Sequence, residues 1–216
     1  MIELDRDLAA RLKRREALDV VEADVLTVDF AAMAAARGAQ LRVVGNLPYN
    51  ISTPILFHLL DAAEHIQDQH FMLQKEVVER MAAAPGSEHY GRLTVMLAPW
   101  LRIEPLFDIG PGAFRPPPRV ISTIVRLTPH ETPLQIENQR HFASVVAAAF
   151  SQRRKTLRNA LKSLLDVEDI VAAGVDPTLR AEVISPPGFA ALGAQFGLRL
   201  QQRGEILAEP PPATAD

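Results

Sequence analysis

Apolar residues run along this chain in short blocks separated by polar breakers, and the period changes from block to block. Ile2-Glu3-Leu4-Asp5 reads as the end of a strand, and residues 6–16, rich in Arg, Leu and Ala, as a helix. Residues 19–23 read as a second short strand ending at Asp24. Leu41-Arg-Val-Val44 is a β-branched run that stops at Gly45, the pattern of a fully buried parallel strand followed by a breaker. Thr53 as N-cap and Pro54 at the first helical position then open a helix with Ile55, Leu56, Leu59 and Leu60 in an apolar stripe. Residues 69–74 read as a strand, 75–83 as a helix, 84–88 as a break and 90–98 as a helix. Residues 101–109 and 120–127 read as two strands, antiparallel neighbours.

Between those strands lies Gly110-Pro-Gly-Ala-Phe-Arg-Pro-Pro-Pro-Arg119, which forbids helix and central strand alike. Phe114 sits in this stiff connection with no obvious core to join; it is either an anchor on the sheet edge or one face of a stacking site. Residues 128–137 are polar, carry two prolines and mark a domain boundary. Helical patterns follow at 138–150, at 155–165 with Leu157, Leu161, Leu164 and Leu165 on one face, and at 187–200 with Phe189, Leu192 and Phe196 as core. Asp176-Pro177 is a cap-and-start signal. The pattern predicts an α/β domain over 1–129, a small helical domain over 130–207 and a disordered tail over 208–216.

Composition narrows this picture. Of 216 residues, 48% are hydrophobic, enough for a real core, and no run approaches the roughly 20 apolar residues of a membrane span. There is no cysteine, hence no disulfide framework or thiolate site, and the six histidines lack ligand spacing, so no metal is expected. A reducing cytoplasm fits. The net charge of −3 is unlike the basic footprint of RNA-binding proteins, but its distribution is uneven. Residues 151–162 hold Arg153, Arg154, Lys155, Arg158 and Lys162 with no acid. Cations at a helix start oppose the helix dipole unless anions lie nearby; phosphates would supply them, and a solvated charged face is the plainer reading.

The chemistry concentrates where the third strand ends. In open α/β sheets ligands sit at the carboxyl ends of strands, and here that end carries Asn46, Leu47, Pro48 and Tyr49 in a row. Asn46 offers one acceptor and two donors. Pro48 donates nothing and restricts Leu47 to an extended conformation, so the Leu47 carbonyl can be held toward a site. Tyr49 gives a flat face for a ring. Together they can accept both hydrogens of an exocyclic amine while its ring stacks, which suits group transfer to a nucleobase. A strand-ending turn in which Asn and Pro merely punctuate is the alternative.

Asn46-Leu-Pro-Tyr-Asn50 resembles the fourth motif of S-adenosylmethionine-dependent adenine-N6 methyltransferases. The longer Gly45–Ile55 stretch, with Met72-Leu-Gln-Lys-Glu-Val77, Phe114-Arg-Pro-Pro-Pro-Arg-Val120 and Phe150-Ser-Gln-Arg-Arg-Lys-Thr-Leu-Arg-Asn159, resembles the ribosomal small-subunit RNA adenine dimethyltransferase family. The resemblance implies a Rossmann-like methyltransferase sheet with a helical C-terminal domain, S-adenosylmethionine as donor, and N6,N6-dimethylation of two adjacent adenosines near the 3′ end of small-subunit RNA. It implies that Glu3 holds the cofactor's ribose, that Asp24 and Val25 receive its adenine, and that Asn46 stands next to both cofactor and substrate. It further implies that Tyr49 and Phe114 flank the flipped adenine, and that Arg153, Arg154, Lys155 and Arg158 hold RNA of a precursor small subunit. A monomeric cytoplasmic enzyme is expected. The rivals are the related large-subunit RNA methyltransferase that gives macrolide resistance, and a non-catalytic RNA-binding assembly factor.

The family's glycine-rich cofactor loop, expected one strand and one helix before Glu3, does not occur among the 216 residues. The chain therefore reads as opening at the family's second strand, as an N-terminally incomplete product would. Two unpaired strand edges in mid-sheet, low stability and weak cofactor binding are the expectation.

Overall fold

The computed structural model describes residues 1–48 and 51–204, so Tyr49 and the expected tail at 208–216 lie outside the described residues. The chain opens with a parallel pair, β1 (Ile2–Glu3) and β2 (Val21–Glu22), joined through α1 (Arg6–Leu12). Asp5 starts α1 by accepting from the Leu8 amide at 2.9 Å. Past β2, Asp24 caps a single 3₁₀ turn at Val25–Thr27, and Asp29 caps α2 (Phe30–Arg37).

The main sheet has the order β3-β4-β6-β5, built from β3 (Leu41–Asn46), β4 (Ile66–Gln74), β5 (Leu101–Ile109) and β6 (Ser122–Pro129). β3 runs parallel to β4, while β6 is antiparallel to both of its neighbours. The helices α3 (Ser52–Leu60), α4 (Lys75–Met81) and α5 (Arg92–Leu97) accompany it. Phe71 and Leu73 of β4 bury against Ile55, Leu56 and Leu59 of α3, as the stripe predicts. Among the described residues β1 and β2 form a sheet of their own, and β3 is hydrogen-bonded to a strand on one side only. A break thus separates the strand ending at Glu3 from the strand ending at Asn46.

That break corrects the reading of β3 as fully buried. Its residues alternate between half-buried and exposed, and Val44 is 73% exposed. A β-branched run cannot by itself report how many neighbours a strand has. The strand also continues two residues past the expected stop, through Gly45 and Asn46, which pair with Phe71 and Met72. A side chain at Gly45 would meet the Leu47 Cδ2 at 3.2 Å, so glycine lets Leu47 fold back into the core.

A second apolar cluster gathers α6 (Gln139–Ser151), α7 (Leu157–Ala160), α8 (Val167–Ala172) and α9 (Pro186–Arg203). Asn138 caps α6 and Ser185 caps α9. Gly193 brings α9 onto α6 so closely that a Cβ there would stand 3.0 Å from the Phe142 Cα. This cluster also takes in Tyr90 and Val95, which precede the polar stretch at 128–137. Trp100 packs against both clusters, and its carbonyl accepts from the His130 amide at 2.9 Å.

Three helix expectations need correction. α3 begins at Ser52, with Ile51 rather than Thr53 at the N-cap. The expected helix at 155–165 is a single turn, although Leu157, Leu161 and Leu165 are all fully buried. Tertiary contacts set its start: the Leu157 and Arg158 amides bond to the carbonyls of Leu179 and Pro177 instead of to carbonyls four residues back. Asp176 serves that same neighbouring segment, accepting from the Thr178 amide and hydroxyl in a turn rather than starting a helix.

Candidate active site

The carboxyl ends of β3 and β4 and the 110–121 connection border an open cavity of about 290 Å³ lined by Asn46, Leu47, Pro48, Met72, Phe114, Pro116 and Pro118. Asn46 is the exposed last residue of β3, and Leu47 turns its side chain into the core at 9% exposure. Phe114 is half-buried here, so the residue without an obvious core has found the Asn46–Pro48 turn. Tyr49 follows Pro48 outside the described residues. Met72, Pro116 and Pro118 were not singled out as site residues. Met72 is the register partner of Asn46, a fact of strand pairing that local pattern does not contain.

The stems of the 110–121 connection are tied together beneath this cavity. Lys75 is the first residue of α4, half-buried, and its ammonium lies 2.5 Å from the Asp108 carboxylate at the end of β5. The other Asp108 oxygen accepts from the Thr123 hydroxyl at 2.6 Å, and the Lys75 amide donates to the Ile121 carbonyl at 2.9 Å. The Asp108 carboxylate raises the Lys75 ammonium above its ordinary pKa. Lys75 first, and then Thr123, hold the Asp108 carboxyl below the usual carboxylate range. A lysine at a helix start opposes the dipole, so its position was the sequence signal that an acid waits nearby.

Glu3 and Asp24 stand together, where β1 and β2 end; the Ala23 amide donates to the Glu3 carbonyl at 3.1 Å. One Glu3 oxygen accepts from the Asp5 amide and one Asp24 oxygen from the Leu26 amide, which leaves each carboxylate a second oxygen beyond these bonds. Ribose hydroxyls and an adenine amine are donors, so two acceptor carboxylates at adjacent strand ends fit the adenosine half of S-adenosylmethionine. Val25 beside them is half-buried against the main core.

The four carried-over cations separate. Arg153 lies in the turn after α6 and points back, its guanidinium 3.4 Å from the Glu88 carbonyl and 3.5 Å from that of Tyr90. Arg154, Lys155 and Arg158 are exposed, and among the described residues they form no ion pair. Only Arg158 is helical, so the expected cluster at a long helix start is a turn leading into one helical turn.

Comparison with known proteins meets this geometry. The family model described as ribosomal RNA adenine dimethylase matches residues 1–189. This chain belongs to the ribosomal RNA adenine dimethylase family. The dimethylase chain is 54% identical to ribosomal RNA small subunit methyltransferase A of Methylococcus capsulatus, over 90% of its own length and 77% of that relative. It is likewise 54% identical to the protein of the same name from Pseudomonas aeruginosa, covering 91% and 75% of the two chains. Among solved structures, the 23S rRNA methyltransferase ErmE superposes with a TM-score of 0.65 at 25% identity, over 91% of this chain and 80% of that one. A dimethyladenosine transferase from Plasmodium falciparum shares the fold with a TM-score of 0.73 at 24% identity, over 94% and 82%. The dimethylase fold is thus the Rossmann-like methyltransferase sheet with appended helices that the motifs imply.

Proposed function

We propose that this chain carries out S-adenosylmethionine-dependent N6,N6-dimethylation of two adjacent adenosines near the 3′ end of small-subunit ribosomal RNA. The observation that carries this is the meeting of Asn46, Leu47 and Pro48 with Phe114 around one cavity. Relatives at 54% identity bear the small-subunit name, whereas the solved large-subunit enzyme stands at 25%. The small-subunit reading is favoured over the large-subunit one on that ground.

Glu3, Asp24 and Val25 would hold the adenosine half of the cofactor. When bound, S-adenosylmethionine supplies a methyl group made electrophilic by its sulfonium sulfur. The chain's own residues do the rest by placement. The target adenine leaves its stack, as a base must when its reacting atom lies inside a helix. Its ring lies against Phe114, with Tyr49 as the second face. The Asn46 side-chain oxygen and the Leu47 carbonyl accept the two amine hydrogens, which localises the N6 lone pair for attack. After one transfer a single N–H remains, and one acceptor suffices to orient it. Methyl transfer leaves N6 a four-bonded cation that still carries a proton, and that acidic proton is lost to water, so no strong base is required. Orientation of this kind is worth about 7–11 kcal/mol.

The test is transfer of labelled methyl from S-adenosylmethionine to isolated ribosomal subunits. Small subunits should be labelled and large subunits not; the reverse overturns the assignment. Asn46→Ala should lower transfer about a hundredfold while RNA affinity is kept. Equal losses in transfer and RNA affinity contradict the role given to Asn46. Cofactor binding, read by calorimetry, is expected to be weak but saturable; RNA binding with no cofactor binding at all would favour an assembly factor instead.

A further inference from the structure

Phe114 sits on a connection rich in Gly and Pro that has only one 3₁₀ turn, Pro111–Ala113, as regular structure. Something must set the distance between its ring and the Asn46–Pro48 turn. Local structure does not, because the two lining segments meet only across β4. Strand pairing brings the ends of β5 and β6 level, with Asp108 opposite Thr123 and Ile109 opposite Ser122. The β4–β6 pairing ties the returning stem to the β4 end, with Met72 opposite Ile124 and Gln74 opposite Ser122, whereas the outgoing stem at Ile109 reaches β4 only through β6.

Lys75 reinforces the first of these ties and adds a direct one to the outgoing stem. It follows β4 directly, three residues past Met72, and its amide holds the Ile121 carbonyl on the returning stem. Its ammonium holds Asp108 on the outgoing stem, and Thr123 fixes the other oxygen of the same carboxylate. Both stems are therefore referred to the strand end opposite Asn46. The Lys75–Asp108 pair is roughly half exposed, so screening by water leaves it little weight in global stability. Its geometry points instead to control of position.

We propose that Lys75, Asp108 and Thr123 are positioning residues that latch the 110–121 connection and thereby set Phe114 against Asn46 and Leu47 for methyl transfer. The proposal rests on the reading of Phe114 as a face of the base site. None of the three lines the Asn46–Phe114 cavity, so they act through Phe114 rather than on the adenine.

The latch is tested first without catalysis. 4-Fluorophenylalanine placed at position 114 of the full chain reports ring order through its fluorine resonance. Lys75→Met should shift and narrow that line as the ring gains freedom, and Lys75→Arg should restore it. An unchanged line in Lys75→Met overturns the latch. In methyl transfer to small subunits, Lys75→Met and Asp108→Asn should lower kcat about tenfold to a hundredfold. KM for cofactor and for subunits should stay within about twofold, and Lys75→Arg should recover most of kcat. In a Phe114→Ala background Lys75→Met should add nothing; full additivity of the two losses overturns the proposal. A raised KM for subunits with kcat kept would make Lys75 a phosphate contact and also overturns it. If the fluorine line moves while Phe114→Ala leaves kcat unchanged, the failure lies in the base-site reading of Phe114, and the proposed route to catalysis falls with it.

Discussion

Gln69 lies fully buried in the centre of β4, and neither its amide nitrogen nor its oxygen has a hydrogen-bond partner among the described residues. A buried amide left unpaired costs about 1–3 kcal/mol. Gln69→Met keeps the volume and removes the polar atoms, so it should stabilise the chain by a similar amount, read as a higher urea midpoint at unchanged m-value. No gain, or a loss, would mean that the amide is satisfied. Arg153 makes the complementary point. Its charge reads in the sequence as one of a set, yet its guanidinium is turned to the carbonyls of Glu88 and Tyr90. Side-chain direction depends on what the fold brings near, and four cations close in sequence cannot announce which of them turns back onto the chain.

At the scale of elements, Tyr90 joins the segment before α5 to the helical cluster. Its hydroxyl donates to the Ile184 carbonyl at 2.6 Å, and its ring meets Phe150 edge-on. Tyr90→Phe should cost about 1–3 kcal/mol, because the Ile184 carbonyl is left buried and unpaired. Burial raises the Tyr90 pKa from its ordinary 10.0. The folded state thus keeps this proton longer than the unfolded chain, so its contribution is full below pH 10 and is lost as pH rises beyond it. Wild type should weaken above that pH more steeply than Tyr90→Phe; parallel alkaline profiles contradict this. The acid limb belongs to α8 and α9. Arg199 bonds Asp166 and Asp169, and the Arg199 guanidinium foremost lowers the Asp166 pKa to about 2. That contribution is present above the usual carboxylate value of 3.8 and is lost as pH falls toward 2. Melting temperatures between pH 5 and pH 2 should fall less steeply in Arg199→Met, which lacks the interaction from the start. These pairings were not legible in the chain, since α8 and α9 are separated by a turn-rich segment and meet only on packing.

Over the whole molecule two apolar clusters share Trp100, and the exposed cations Arg154 and Lys155 lie in the connection from α6 to α7, with Arg158 in α7 itself. If Arg154, Lys155 and Arg158 meet RNA phosphates, replacing all three by Ala should weaken RNA binding. It should also reduce the slope of log K against log salt by about 0.7 per cation for single-stranded contacts. The same slope for both proteins would remove these residues from the interface. Asn46→Ala should leave that slope untouched, which separates the electrostatic surface from the site of chemistry. Among the described residues no helix is long and apolar enough to cross a membrane.

The sequence by itself determined the kind of molecule and pointed to one strand end as the candidate place of its chemistry. Local pattern was enough for β4, β5, β6, α6 and α9, because period and breakers act within a few residues. Four ordered motifs were enough for the family, and for naming Asn46, Leu47, Pro48 and Phe114 before any contact between them was known. Only the tertiary structure decided what depends on neighbours distant in the chain. It made β3 half-exposed, since strand burial is set by the number of adjacent strands. It started the single helical turn of the Leu157–Leu165 stripe at Leu157, because the Leu179 and Pro177 carbonyls take the amides that an earlier start would have used. It also set Lys75 against Asp108, since an ion pair between a helix start and a strand end follows from packing and not from spacing.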